Sequence, residues 1–304
     1  MRRRSSLVSR LSYLAALLLA GQVHLWAADA SRDTLHEIRG AQQVGVLVLA
    51  HGGTGRWNRL VTNAVRDAKL RDPVEVAFGM GMHAQDVQAI QRAVNDLQEQ
   101  RVQRIVVVPL LICSASEVMR QYEYLLGLRD HGSWEDVAPV SLRVPVVMMP
   151  PLDDDPVVAE VLLERAQELS QRPQQETVVL VAHGPVSDED NSRWIEVLAR
   201  VGQRLRAAGG FRDVVPVTMR DDASEVVQAE ATRQMREVVR RHAQTGRALV
   251  IPVLLADGGI ETKIPKRLNG LSYTYRGRAL LPHPKISQWI AQRVEAGLAQ
   301  ARAL

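Results

Sequence analysis

The chain has 304 residues, 46% of them hydrophobic and 4% aromatic, so it can form one large domain or two medium ones with an ordinary core. Its formal net charge of +4 falls to +1 without residues 1–30, which hold four arginines and one aspartate and leave 34 basic and 33 acidic residues. This balance gives no support for nucleic-acid binding, and the single cysteine, Cys113, excludes an internal disulfide.

Residues 1–30 have the layout of a secretory signal peptide. Three arginines at positions 2–4 precede a short apolar run, Leu11–Ala20, and small residues suited to cleavage follow at Ala28 and Ala30. The apolar run is too short for a comfortable membrane span. We therefore expect a periplasmic or otherwise exported protein without a membrane span after signal removal. An uncleaved N-terminal anchor is the alternative.

The first half, residues 41–172, is predicted to alternate strands with helices. Continuous apolar runs indicate buried parallel strands, and apolar residues at helical spacing indicate helices packed on the sheet. The predicted strands are Val44–Leu49, Val74–Phe78, Ile105–Leu111 and Val144–Met149. The predicted helices are Arg56–Lys69, Ala84–Gln100, Glu117–Leu128 and Pro156–Leu169.

The second half, residues 173–304, repeats this order after a linker at Arg172–Gln175. The predicted strands are Val178–Val181, Val214–Val217, Ala248–Leu255 and a weak Ala279–Leu281. The predicted helices are Asp188–Ala207, Ala223–Ala243, Ile260–Leu268 and Pro284–Ala301. Strands that alternate with helices in this way predict parallel sheets covered on both faces.

The halves also share sequence motifs. An apolar strand ends in Ala-His-Gly at Val46–Gly52 and again at Val178–Gly184. An Arg-Trp pair follows each histidine, at Arg56-Trp57 and Arg193-Trp194, with five more residues in the second loop. Matches in the same order predict an α/β fold of two tandem βα sandwich halves.

Each half carries a histidine after its first strand and a glutamate after its central strand. His51 is thereby predicted to face Glu117, and His183 to face Glu261, because the carboxyl ends of parallel strands meet at one sheet edge. Imidazole and carboxylate together suit a borderline divalent metal such as Co²⁺, Fe²⁺, Ni²⁺ or Zn²⁺. A hydrogen-bonded structural histidine is the alternative for either position.

These motifs resemble the class II tetrapyrrole chelatases, which include the CbiX/SirB-type sirohydrochlorin chelatases, CbiK and, more distantly, ferrochelatase. The resemblance covers roughly residues 44–300. It implies two chelatase-like halves with a cleft between them, and insertion of a divalent metal substrate into a tetrapyrrole without a tightly bound organic cofactor. Co²⁺ is the first candidate metal, followed by Fe²⁺ or Ni²⁺, and the protein is expected to be a monomer or homo-oligomer.

By the same resemblance, His51 and His183 match the family's histidine, Glu261 its acidic residue, and Glu117 the counterpart of Glu261. The family's Gly-Gly-His segment is missing, because Ile260 stands at the histidine position of the second half. Basic residues at the cleft are expected to bind substrate carboxylates, and Trp57 and Trp194 to stack on the macrocycle or pack on the sheet. The basic candidates are Arg56, Arg193, Lys263, Lys266 and Arg267.

Two other functions compete with metal insertion. A non-catalytic periplasmic carrier of divalent metal or haem would use the same fold, and export and the missing Gly-Gly-His favour it. A histidine phosphatase would need an arginine before the histidine, and Ala50 and Ala182 stand there instead.

Overall fold

A computed structural model describes residues 43–79, 82–130, 134 and 136–303 of the chain. The predicted signal peptide lies outside the described residues. The part that begins at Val44 forms one compact unit. Within the described residues, no helix is both long enough and apolar enough to cross a membrane.

Eight strands of the described residues form two parallel four-stranded sheets, which confirms the predicted α/β fold of tandem halves. The first sheet has the order β2-β1-β3-β4 and the second the order β6-β5-β7-β8. The strands of the first sheet are β1 (Val44–Ala50), β2 (Val74–Phe78), β3 (Arg104–Leu110) and β4 (Val146–Met148). Those of the second are β5 (Glu176–Ala182), β6 (Asp213–Thr218), β7 (Arg247–Val253) and β8 (Thr274–Tyr275).

The first strand of each half lies at the centre of its sheet and is buried along its whole length. Every residue of β1 and of β5 is buried, because both neighbouring strands and helices on both faces cover them. Continuous apolar sequence is the pattern that such strands require. The carboxyl ends of β1 and β5 therefore open directly onto His51 and His183.

In the described part of the chain, eight α-helices cover the two sheets, close to the predicted bounds. The first-half helices are α1 (Gly55–Asp67), α2 (Ala84–Glu99), α3 (Glu117–Leu125) and α4 (Pro156–Gln167). The second-half helices are α5 (Asp188–Gly209), α6 (Glu225–Thr245), α7 (Ile260–Arg267) and α8 (Pro284–Ala303). Hydroxyl side chains cap several N-termini: Thr54 accepts from Trp57 N, Ser116 from Met119 N, and Ser187 from Asp190 N.

The halves exchange their last helices. Helix α4, which ends the first half, packs against α5 and β7 of the second, whereas α8 returns to pack on β1, β3 and β4 of the first. The contact of α8 is close, since a Cβ atom on Gly297 would lie 2.4 Å from Cγ1 of Val106. This exchange places the two sheets in one continuous hydrophobic core.

Two buried charged side chains stabilise the exchange. On α4, the guanidinium of Arg165 donates to the carbonyl oxygens of Ala279, Leu280 and Pro282 at 3.2–3.4 Å. At the start of β5, the carboxylate of Glu176 is fully buried. Burial opposes its ionisation, but hydrogen bonds from Ser170 and the backbone, together with the charge of Arg247, lower the pKa of Glu176 below its ordinary value.

The predicted last strand, Ala279–Leu281, is wrong. The edge strand of the second sheet is Thr274–Tyr275, which pairs with Leu249 and Val250 of β7. Residues 279–281 instead run beside the chain beyond β7, where Leu280 and Leu281 donate to the carbonyls of Leu254 and Leu255 at 2.9 and 2.8 Å. They are apolar because this extended segment is buried under α4 and α8.

Candidate metal centre

Each strand-end histidine is held by the glycine that follows it. His51 Nδ1 lies 2.7 Å from the carbonyl oxygen of Gly52, and His183 Nδ1 lies 3.0 Å from that of Gly184. Both glycines have left-handed backbone conformations, with φ of +84° and +76°, which turn each carbonyl back toward the ring. The repeated His-Gly motif is therefore a compact local turn.

This contact fixes the tautomer of both rings. A carbonyl oxygen can only accept a hydrogen bond, so Nδ1 carries the hydrogen in each histidine. The Nε2 lone pair is then available for a proton or a metal ion. Histidine ligands in metal sites commonly donate their other N–H to a carbonyl in this way.

In the second half, two aspartates lie beside the imidazole. His183 Nε2 is 3.5 Å from Oδ2 of Asp222, and one donor atom each of His183, Asp221 and Asp222 lie within 4.8 Å of one another. Donor atoms that share one ion at about 2.1 Å from it are roughly 3–4 Å apart, so a small adjustment would let the three ligate one ion. The imidazole is 27% exposed and the Asp222 carboxylate 64% exposed, which leaves one side open.

The two aspartates differ in their electrostatic surroundings. Asp221 is 8% exposed, and its carboxylate accepts from Lys263 and Arg267 on α7. Burial opposes ionisation, but the hydrogen bond and charge of Lys263, with the charge of Arg267, lower the pKa of Asp221. Asp221 is thus an anion paired with two cations, whereas the carboxylate of Asp222 places negative charge on the solvent-exposed side of the site.

The predicted glutamates lie elsewhere on the same edge. The Glu261 carboxylate accepts from the backbone N–H groups of Gly258 and Gly259 at 3.1 and 2.8 Å, at the start of α7. Glu117 is exposed in the first turn of α3. Among the described residues, neither belongs to a cluster of three metal-ligating side chains, and their roles as ligands stay predictions.

The loops of the two halves meet across the sheet edges. Arg56 pairs with Asp257 at 3.2 Å, and Trp57 packs so closely on the next residue that a Cβ on Gly258 would lie 2.9 Å from its ring. On the other side, the buried Trp194 donates from Nε1 to the carbonyl of Ala115 at 2.7 Å. The two tryptophans therefore pack at the junction between the halves.

A polar cavity of about 600 Å³ lies at this junction, between α3 and α5. Arg120 on α3 and Asp190 on α5 form a bidentate ion pair across it, in which Nη1 and Nη2 of Arg120 donate to Oδ1 and Oδ2 of Asp190 at 3.0 and 2.8 Å. The hydrogen bond from Arg120 lowers the pKa of Asp190, which is 8% exposed. Arg193 lines the same cavity and pairs with Glu189 at 2.6 Å.

Asp221 and Asp222 were not among the predicted ligands. They follow β6, which pairs with β5 along its whole length, so their segment leaves the sheet beside His183. Two acidic residues in the short turn between the predicted strand Val214–Val217 and the next predicted helix were a usable indication. The corresponding segment of the first half after β2 begins Gly79-Met80-Gly81-Met82 and carries no carboxylate.

Comparison with known proteins shows the family. The CbiX family model matches residues 45–169 and again residues 177–296, so the chain belongs to the CbiX family and carries two tandem copies of its domain. This confirms the resemblance to class II chelatases that the sequence motifs indicated.

Two curated relatives each align with about two-fifths of the chain. The sirohydrochlorin cobaltochelatase of Methanococcoides burtonii is 19% identical over 129 residues, which cover 42% of this chain and 98% of that protein. The sirohydrochlorin cobaltochelatase of Methanopyrus kandleri is 26% identical over 141 residues, which cover 41% and 96%.

Two solved structures share the fold over most of the chain. SirB from Bacillus subtilis, determined with Fe³⁺, has a TM-score of 0.62 and 17% identity, and the match covers 86% of this chain and 98% of SirB. DR2241 from Deinococcus radiodurans, a multi-domain protein with structural similarity to chelatases, has a TM-score of 0.54 and 18% identity. That match covers 84% of this chain and 55% of DR2241.

Proposed function

We propose that the protein is a tetrapyrrole chelatase that inserts a divalent metal, Co²⁺ first among them, into sirohydrochlorin or a related porphyrinoid. The observation that carries the proposal is the group of His183, Asp221 and Asp222 at the carboxyl edge of the second sheet. Membership of the CbiX family supports the reaction class, and the names of the two archaeal relatives support the substrate and the metal.

The chemistry of insertion fits these side chains. A divalent ion that enters a free-base tetrapyrrole replaces two pyrrole N–H hydrogens, so two protons leave for each metal inserted. The Nε2 of His183, which carries no hydrogen in this tautomer, can hold the incoming ion or accept a proton. The Asp222 carboxylate, 3.5 Å away and open to solvent, can complete the metal's coordination or pass that proton to water.

The charges favour a metal that is passed on over one that is retained. Lys263 and Arg267 already neutralise Asp221, so Asp222 supplies most of the uncompensated negative charge. Few protein ligands and an exposed side leave several coordination positions for water or the macrocycle. In this proposal, Lys263 and Arg267 lower the negative charge of the metal site by pairing with Asp221, in place of the predicted contact with substrate carboxylates.

The first half has a subsidiary role in the proposal. His51 has the same tautomer as His183, but residues 79–83, directly after β2, include no aspartate or glutamate. Its loop lies against the Asp257–Glu261 loop through Trp57 and Gly258, so His51 and Glu261 are proposed to act from the opposite wall on the macrocycle or its protons. Glu117 is proposed as a further acidic group near the cavity between α3 and α5.

The location of the reaction is a separate proposal. The signal-like layout of residues 1–30 supports export to the periplasm. Fractionation of cells that express the full chain, with sequencing of the mature N-terminus, tests this. Recovery of uncleaved protein from the cytoplasm would refute it.

Metal insertion can be assayed directly. Purified protein is mixed with sirohydrochlorin and Co²⁺, and the absorption spectrum of the metallated product is followed against a protein-free blank. We expect multiple turnovers that His183→Ala abolishes. His242→Ala is the matched control, because His242 contacts Thr177 at the opposite end of β5.

Each outcome of the assay has one meaning. Turnover that depends on His183 supports the chelatase. Stoichiometric uptake of metal or haem without turnover contradicts it and indicates the carrier function. Equal turnover in the wild type and His183→Ala would refute this site, and absence of both turnover and uptake would refute both functions.

A further inference from the structure

The segment that carries His183 into α5 is irregular and is held by one buried side chain. Residues 183–187 have no regular secondary structure before α5 begins at Asp188. The Arg220 guanidinium, 10% exposed, donates from Nε to the carbonyl of Pro185 at 3.2 Å. Its other nitrogens donate to the carbonyl of Val186 and to the carboxylate of Asp188.

The backbone of Arg220 adds a second attachment. Its N–H donates to the carbonyl oxygen of His183 at 2.7 Å. Its φ is +54°, in the left-handed region that non-glycine residues rarely adopt. Residues are held in such conformations when the surrounding contacts determine them, and these conformations cluster at functional sites.

The position of Arg220 in the chain links these contacts to the candidate metal ligands. Asp221 and Asp222 follow it directly, so one residue joins the segment that carries the imidazole to the segment that carries both carboxylates. Any shift of Arg220 would change the distance between His183 Nε2 and the Asp222 carboxylate, now 3.5 Å.

By sequence, the first half has no arginine at the matching position. The register of β2 on β1 and of β6 on β5 aligns Phe78 with Thr218, so Met80 stands where the second half has Arg220. The loop after the histidine is also one residue shorter, since α1 begins at Gly55 and α5 at Asp188. The arginine that contacts this loop is therefore a feature of the second half.

We propose that Arg220 is a positioning residue that holds His183 opposite Asp221 and Asp222, and that it makes the second half the half that receives the metal. This inference rests on the proposed chelatase function. Arg220 acts through backbone carbonyls and does not itself ligate the ion. A lysine at this position would keep the charge but would lack the planar set of donors that reaches three acceptors.

The test compares Arg220→Lys with Arg165→Lys. Arg165 is a matched control because it is also a buried guanidinium that donates to three backbone carbonyls, in residues 279–282 and away from His183. Co²⁺ alone is titrated into each purified variant and into the wild type. We expect Arg220→Lys to weaken Co²⁺ binding about tenfold or more, as loss of an outer contact to a metal ligand does, and Arg165→Lys to leave it unchanged.

Two further readouts separate positioning from general stability. In turnover with sirohydrochlorin, kcat should fall while KM for the tetrapyrrole changes by less than about twofold. ¹⁵N chemical shifts of His183 should report a Nδ1–H tautomer in the wild type and a mixture in Arg220→Lys. If Arg220→Lys does not fold, Asp188→Asn removes only the charged acceptor of Arg220, at the first residue of α5, and should show a smaller loss of the same kind.

The outcomes distinguish this inference from the function on which it rests. A wild-type protein that binds no Co²⁺ refutes the proposed metal site. A wild type that binds Co²⁺, with folded Arg220→Lys or Asp188→Asn that binds it equally well and keeps the His183 tautomer, overturns the positioning role alone.

Discussion

The two His-Gly turns provide a matched pair of substitutions with different predicted costs. Gly184→Ala and Gly52→Ala place the same methyl group at equivalent points of the two halves. Both positions have positive φ, so the left-handed backbone lowers the stability of both variants by about 1–2 kcal/mol. The lower entropy of the unfolded chain offsets about 0.4–1 kcal/mol of this loss.

The steric terms distinguish the two variants. A Cβ on Gly184 would lie 2.6 Å from Cβ of Thr218, whereas a Cβ on Gly52 would lie 3.3 Å from its nearest neighbour, Cβ of Phe78. Overpacking of this kind adds about 1–3 kcal/mol for Gly184→Ala. We therefore expect losses of about 2–4 kcal/mol for Gly184→Ala and about 1 kcal/mol for Gly52→Ala.

Urea titration of the purified variants at one pH measures the free energy of unfolding. Gly184→Ala should also weaken Co²⁺ binding, because the Gly184 carbonyl fixes the His183 tautomer. Equal losses of stability in the two variants, or a larger loss for Gly52→Ala, would refute the steric reasoning.

Three further substitutions test contacts within and between the halves. Because the pKa of buried Glu176 is lowered, its contribution to stability is present above the ordinary value of 4.5 and is lost as pH falls below it. Glu176→Gln should therefore flatten the decline of the urea midpoint between about pH 5 and 3. An unchanged slope would show that Glu176 is not the source of that decline. Asp190→Asn breaks the pair with Arg120 and should cost about 2 kcal/mol in urea titration, below the roughly 3–5 kcal/mol of fully buried pairs because Arg120 is 32% exposed. No measurable loss would contradict its role between the halves. Trp194→Phe removes the hydrogen bond to Ala115 and should lower the free energy of unfolding by about 1 kcal/mol in the same measurement. Loss of tetrapyrrole affinity with full stability would instead indicate that Trp194 stacks on the substrate.

Local sequence patterns predicted the elements of this fold well. Apolar segments located seven of the eight strands among the described residues, and six of these segments are continuous runs, because buried parallel strands need apolar residues on both faces. The seventh, β2, is interrupted by Glu75. The failure at Ala279–Leu281 has a physical origin, because an extended segment buried under two helices has the same composition as a strand. Periodicity also could not reveal the exchange of α4 and α8, which depends on contacts between distant parts of the chain.

The candidate site could be predicted only in part, because it also depends on contacts between distant parts of the chain. The Ala-His-Gly repeat predicted that His183 stands at the end of a strand, and the structure has it directly after β5. Its carboxylate neighbours depend on which strand lies beside β5, and both β6 and β7 do. The prediction of Glu261 rested on the loop after β7, whereas Asp221 and Asp222 stand in the loop after β6.

The central claim is that His183 and its two aspartates receive a divalent ion. Calorimetric titration of Co²⁺ into the purified wild type, His183→Ala and His51→Ala tests it most directly. We predict one site per chain in the wild type, retained in His51→Ala and weakened at least about tenfold in His183→Ala. Co²⁺ binding that is unchanged in His183→Ala, or abolished by His51→Ala alone, would contradict the account.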